Sequence, residues 1–216
     1  MSKKHISLIG VNHKSTPLEV REKIALTGGY EEALSRLRDE QALEFYLLST
    51  CNRVELLWVT EDTSESTPNM QRFLFGEAVA PDKWDDYSYV YRNHEAVNHL
   101  FKVAASLDSM VVGEAQILGQ IKEAYRYASQ FGCTGPLLNK LLHKSFSVAT
   151  RVRSETGRGS AAVSLTSAAV ELARKIFGNL DDKKVLLIGA GEMAELAAEH
   201  LLGQGVKGIT VANRTL

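Results

Sequence analysis

The sequence has 216 residues, 44% of them hydrophobic and 24% charged, which is enough apolar material for one large domain or two small ones. A formal net charge of −1 excludes the global basicity of a dedicated nucleic-acid binder and leaves room only for a local basic face. No apolar run reaches the roughly 18 residues of a membrane span, and the opening MSKKHISLIGVNH has too short an apolar stretch for a secretory signal.

In chain order, 6–11 is a short apolar run that predicts a buried strand, ended by the turn-forming Asn12-His13-Lys14-Ser15-Thr16-Pro17. Helical patterns follow around 20–26 and 31–39. Strand-like runs at 44–48 and 54–60 are separated only by Ser49-Thr50-Cys51-Asn52-Arg53, which predicts a hairpin with Cys51 near its tip. The polar stretch 61–69 reads as a surface loop and 87–91 as a further strand. Asn93 is placed to N-cap a helix over 95–105. Helical periodicity then runs from 115 to 142, broken at Gly132-Cys133-Thr134-Gly135-Pro136, and resumes over 162–176 after Gly157-Arg158-Gly159.

From 184 onward the pattern is strand, glycine turn, helix (192–202) and strand (208–212), the start of a βαβ unit. The domain change is expected near 157–162. A lone βαβ leaves its sheet poorly covered, so a longer protein is expected. Gly189-Ala190-Gly191-Glu192-Met193-Ala194 fits G-x-G-x-x-G/A, between an apolar strand and a helix that would offer its N-terminus to a pyrophosphate. The alternative is a glycine turn in an unliganded α/β domain. Where an acidic residue would bind the ribose 2′-OH, the second strand ends in Asn213-Arg214-Thr215. Arg214 suits a 2′-phosphate and hence NADPH, unless it is a solvated surface charge.

Two cysteines, Cys51 and Cys133, make no disulfide framework, so a reducing cytoplasm is expected. On residue type alone either would pass for a small buried hydrophobe. Thr50, Asn52 and Arg53 set Cys51 apart, since a guanidinium close to a thiol favours the nucleophilic thiolate. Cys133 has no charged neighbour. A nucleophilic cysteine joined to a nicotinamide domain suggests thioester formation followed by hydride reduction to an aldehyde.

The stretch Ser49 to Arg53, read with Gly10-Val11-Asn12-His13-Lys14 and SLDSMVVGEAQILGQ at 106–120, resembles the glutamyl-tRNA reductase family. Lys144-Ser145-Phe146-Ser147-Val148-Ala149, Arg151-Val152-Arg153 and the NADPH turn extend the resemblance over the whole chain. It implies an α/β protein: an α+β catalytic domain with the start of a linker helix over 1–157, a long connecting helix, and the beginning of a Rossmann-type NADP-binding domain over 158–216. It also implies a further helical dimerisation domain, a homodimer, glutamate-1-semialdehyde aminomutase as a partner, and glutamyl-tRNA(Glu) as substrate. By the same resemblance Cys51 is the nucleophile and His99 a histidine important for activity. Thr50, Asn52, Arg53, Ser109, Glu114, Ala115, Gln116 and Gln120 would hold the glutamyl group, Glu114 suiting its α-ammonium and Arg53 its carboxylate. Ala115 stands where the family often has proline.

His13 is not assigned a catalytic role. Lys140, Lys144, Arg151, Arg153 and Arg158 could meet tRNA phosphates, although a solvated helix face is the commoner meaning of such charges. No metal site is expected. Two other readings compete: a phosphorylating or CoA-acylating aldehyde dehydrogenase, for which no motif is found, and a non-catalytic NADP(H)-binding sensor.

Overall fold

The residues His5–Asn12, apolar along most of their length, form β1, the strand about which the N-terminal unit is organised. It pairs antiparallel on one side with β3 (Arg53–Thr60) and on the other with β4 (Tyr89–Arg92). β2 (Glu44–Ser49) pairs with the outer side of β3, for a sheet order of β2-β3-β1-β4. In the computed structural model residues 3–26, 28–38, 42–61, 66–109, 116–156 and 165–214 are described, and the chain divides into two units, 1–160 and 161–216.

Side chains alternate across a strand, so the register fixes who shares a face. Gly10 lies opposite Glu55 on one neighbour and Tyr89 on the other, and Asn12 lies opposite Arg53. Onto this face come α5 (His94–Ala104), α6 (Gln116–Gln130) and α7 (Pro136–Glu155): His99 reaches Glu55, and the Tyr46 hydroxyl donates to the Ile121 carbonyl at 3.3 Å. On the opposite face Leu47 and Val54 line a common cavity with Ile24 of α1 (Leu18–Ile24), Ala33 of α2 (Gly29–Leu37) and Leu74 of α3 (Ser66–Phe75). Covered on both faces, β2 and β3 are buried along nearly their whole length.

Three local readings are corrected. Within the polar stretch 61–69 the chain enters α3 at Ser66, because Met70 and Leu74, four apart, supply an apolar face and Pro68 falls in the first turn, where proline is tolerated; residues 62–65 lie outside the described segments. The strand expected at 87–91 starts at Tyr89 because Trp84–Tyr87 closes a short helical turn, α4. Asn93 does stand at the N-cap of α5, but its side chain caps nothing there. Its Oδ1 accepts the Ile6 N–H at 3.2 Å, tying the helix start to β1.

In the second unit α8 (Leu165–Phe177) and α9 (Glu192–Leu202) accompany a two-stranded parallel sheet of β5 (Lys184–Ile188) and β6 (Gly208–Ala212). Its small core is Val170, Leu180 and Val206, while Leu186, Ile188 and Val211 are exposed.

α7 is anchored by a buried charge. The Glu44 carboxylate accepts the N–H groups of Gly135, Leu137 and Leu138 at 3.0, 3.2 and 2.7 Å, placing an anion on the positive end of the helix. A side chain at 135 would collide with that carboxylate, since a Cβ there falls 2.7 Å from Glu44 Cδ. Glu44→Ala is expected to destabilise the protein by about 2 kcal/mol in urea unfolding; a loss under about 0.5 kcal/mol would show the cap to be dispensable.

Candidate active site

Ser49 pairs with Val54, so the hairpin turns through Thr50 to Arg53. Thr50 closes the turn. Its N–H donates to the Arg53 carbonyl at 2.8 Å, and its hydroxyl oxygen accepts the N–H groups of Asn52 and Arg53 at 3.2 and 3.1 Å. The carbonyls at the tip are held from outside: Arg21 of α1 donates to Cys51 O at 2.7 Å, and the His13 N–H donates to Asn52 O at 3.1 Å. His13 is itself placed by an Asx turn, in which Asn12 Oδ1 accepts the N–H groups of Lys14 and Ser15. The Cys51 thiol is presented to solvent from this braced turn.

Behind the tip lies a buried charge network. Arg53, 2% exposed, donates through Nη1 to Glu55 Oε1 at 2.6 Å and through Nη2 to the carbonyl and carboxylate of Asp108. Glu55 Oε1 also receives the Tyr89 hydroxyl at 2.5 Å and His99 Nε2 at 2.7 Å. Taking the Arg53–Glu55 pair out of water costs several kcal/mol per ion, which only such additional hydrogen bonds offset. Burial alone would raise the Glu55 carboxyl; the Arg53 charge and the hydrogen bonds from His99 and Tyr89 reverse this and hold it at about 2. Burial and the Glu55 charge push the Tyr89 hydroxyl well above its ordinary value.

Gly10 makes the network geometrically possible. It sits on β1 between Glu55 and Tyr89, and a Cβ there would lie 2.7 Å from Glu55 Cγ and 2.8 Å from the Tyr89 oxygen. Only a residue without a side chain lets the two partners meet across the central strand. At the edge, Lys14 holds the other oxygen of Asp108 at 2.6 Å, clamping the 106–109 segment against the turn after β1. Burial would raise the Asp108 carboxyl, but Lys14 and Arg53 bring it below its ordinary value. His13 is lowered by burial and then by the nearby Lys14 and Arg53, and its Nδ1 is buried with no hydrogen-bond partner.

Thr50, Cys51 and Asn52 therefore form one turn, and Ser109 follows directly on Asp108, its hydroxyl accepting from Ser106 Oγ at 3.1 Å. His99 joins them through Glu55 and Arg53. Gln116 and Gln120 are half-buried on the first turns of α6, four residues apart and so on one helix face. Glu114 and Ala115 lie outside the described residues. The Arg53 guanidinium, expected to meet a substrate carboxylate, is held by Glu55 and Asp108. Glu55, Tyr89 and Arg21 were missed from sequence, as was the room Gly10 makes for them; a lone glutamate amid the apolar residues of β3 and a glycine within the apolar run of β1 were the available signals. Cys133 is buried, and burial pushes its thiol up.

In the second unit Gly189 has φ +106°, a conformation side chains resist, and its N–H donates to Ala212 O at 2.8 Å. Ala190 leads to Gly191, the N-cap of α9, whose carbonyl accepts the Ala194 and Glu195 N–H groups. Glu192 and Met193 open that helix. A Cβ at Gly191 would meet nothing within 4 Å. Packing does not demand this glycine, which fits a turn kept bare for close approach of a pyrophosphate. Arg214 is exposed just beyond β6. No cluster of His, Cys, Asp or Glu suited to a metal ion occurs among the described residues.

On α7, Lys140 and Lys144 are exposed, Arg151 pairs with Glu155 at 3.1 Å, and Arg153 is half-buried; Arg158 lies outside the described residues.

Residues 9–156 match the family model described as glutamyl-tRNAGlu reductase, N-terminal domain, and 171–216 match that of shikimate/quinate 5-dehydrogenase. Among curated proteins the chain is 65% identical over 217 residues to a glutamyl-tRNA reductase of Desulfotalea psychrophila, covering 100% of this chain and 51% of the relative. It is 55% identical to one of Syntrophobacter fumaroxidans, covering 98% and 47%. The solved glutamyl-tRNA reductase of Methanopyrus kandleri superposes with a TM-score of 0.66 at 36% identity, covering 100% of this chain and 50% of that one. The chain thus spans about half the length of the relatives it matches.

Two outcomes are expected of the network. Gly10→Ala should cost about 1–3 kcal/mol in urea unfolding, the range for overpacking, and an unchanged midpoint would mean that Glu55 and Tyr89 can separate freely. Glu55 binds its proton less tightly in the folded chain than its ordinary value of 4.5 implies, so its contribution is full above that value and is lost as pH falls toward about 2. The contribution is on the order of 3 kcal/mol. Wild type should lose stability between pH 5 and 2 more steeply than Glu55→Gln, and equal slopes would count against the depressed carboxyl.

Proposed function

The chain belongs to the glutamyl-tRNA reductase family, and on that premise we propose that it carries the acyl-accepting part of an NADPH-dependent reduction of glutamyl-tRNA(Glu) to glutamate-1-semialdehyde, the first step of five-carbon tetrapyrrole synthesis. The observation that carries this reading is the solvent-facing Cys51 on a turn whose carbonyls are held by Arg21 and His13.

In the proposed reaction the Cys51 thiol gives up its proton and, as the thiolate, attacks the ester carbonyl of the glutamyl group. A carbon–sulfur bond forms as the bond to the tRNA ribose oxygen breaks, and that oxygen takes up a proton. His99 is the proposed donor of this proton. Thr50 shapes the turn, and Arg53 acts from behind it by holding Asp108 and hence the segment that presents Ser109. Asn52, Ser109, Glu114, Ala115, Gln116 and Gln120 are proposed to hold the glutamyl group, with Glu114 on its ammonium.

Gly189, Ala190, Gly191, Glu192, Met193 and Ala194 are proposed to bind NADPH, with the bare turn at Gly189 and Gly191 against the pyrophosphate and Arg214 on the 2′-phosphate. When bound, NADPH supplies the hydride that reduces the thioester. The homodimer and the aminomutase partner that the family implies belong to the same proposal, as does action in a reducing cytoplasm, which suits an exposed free thiol.

Incubation with radiolabelled glutamyl-tRNA in the absence of NADPH tests the acyl transfer. Label should move to the protein in wild type and be lost in Cys51→Ser; equal labelling of both would overturn the assignment.

A further inference from the structure

We infer that Arg21 grips the leaving group: its guanidinium, beside the Cys51 turn, binds the 5′-phosphate of the terminal nucleotide whose ester meets the thiol. The inference rests on the acyl transfer proposed above and adds a contact to the tRNA end.

Lys14, Arg53 and Arg21 all stand about the turn. Lys14 is matched by Asp108, and Arg53 by Glu55 and Asp108. Arg21 differs. Half-buried on α1, it donates through Nη1 to Cys51 O at 2.7 Å and through Nε to Thr16 O at 3.2 Å, and both acceptors are neutral carbonyls. Among the described residues no carboxylate pairs with it. The two bonds fix the plane of the fork and leave both Nη2 hydrogens to give. A guanidinium keeps its charge, so one that is partly desolvated without a counter-ion draws an anion, and its fork suits phosphate.

The faces of the sheet say which anion comes there. Ser109 follows Asp108 on the segment held by Arg53 and Lys14, and Gln116 and Gln120 lie on α6, all on the side that carries Glu55. Arg21 belongs to α1, on the opposite side with Leu47 and Val54. A glutamyl group extended toward Ser109 and Gln116 leaves its ester oxygen and ribose on the α1 side of the sulfur. Ester and 5′-phosphate hang on one ribose, so the phosphate is carried to within a sugar's width of Sγ. The guanidinium is bonded to the backbone of the very residue that bears that sulfur. A phosphate contact fixes register and reads no sequence, which suits an end that all tRNAs share.

Glutamyl-adenosine and its 5′-phosphate, esterified at the same ribose hydroxyl, differ only in the group Arg21 would hold. Without NADPH, label should pass to wild type from the phosphorylated donor with a second-order rate constant about 10–100-fold higher. That advantage should vanish in Arg21→Gln and survive in part in Arg21→Lys. Loss of the brace on Cys51 O slows both donors alike, so the ratio reads the phosphate contact apart from the shape of the turn. No advantage in wild type, or one retained in Arg21→Gln, would overturn the inference.

A second measurement needs no acyl transfer. In NMR of the protein labelled with 15N-arginine, the Arg21 Nε–H signal, identified by its loss in Arg21→Gln or Arg21→Lys, should shift on titration with adenosine 5′-phosphate and stay in place with adenosine. A signal that neither moves also sinks the inference. Should Arg21→Gln not fold, the wild-type titration decides. Equal labelling of Cys51→Ser, or no labelling at all, would sink the thioester reading and leave the titration to stand alone, so the two failures are separable.

Discussion

The first unit depends on one awkward constraint: an ionised carboxylate, Glu55, stands inside a sheet with helices on both faces. Water cannot solvate it there, so protein groups must do so, and they come from separate parts of the chain. Arg53 is its neighbour on β3, Tyr89 arrives from β4 across Gly10, and His99 from α5. Each of these is in turn positioned by what it gives to Glu55. The strand that separates Glu55 from Tyr89 is the one that most needs to be slim at that point, and it carries glycine.

The same network reaches the Cys51 turn through Arg53. Its second arm takes hold of Asp108, and Lys14 holds Asp108 from the other side, so the 106–109 segment is bolted to the turn that follows β1. That turn donates a backbone N–H to Asn52, and Arg21 holds Cys51 O. A thiol in a polar turn would ordinarily sample many orientations of its backbone. Here the ordering cost is met by the fold before any substrate arrives.

Much of this was legible in the sequence. Two strand-like runs joined only by Ser49–Arg53 gave the hairpin and put Cys51 near its tip, and the glycine spacing after an apolar strand gave the βαβ turn. What was illegible concerns direction and partnership. Arg53 is adjacent to the thiol in sequence, but strand alternation turns its side chain toward Glu55, and only the lone glutamate among the apolar residues of β3 hints at the buried acid. Asn93 has the residue type of a cap, yet tertiary contact with β1 outbids the helix for its side chain. α3 was hidden because its apolar face is only a few residues wide among polar neighbours. For Asn93 the deciding partner, Ile6 of β1, is distant in sequence, and periodicity carries no information about it.

The bracing of the turn at Cys51 limits how the sulfur can be used. A nucleophile on a swinging arm can load a group at one station and deliver it at another. Cys51 is carried instead on a short turn pinned by Thr50 within and by Arg21 and His13 from without. In the proposed reaction an acyl group taken up there stays where it was loaded, so its route is set by traffic toward a stationary centre rather than by movement of the sulfur.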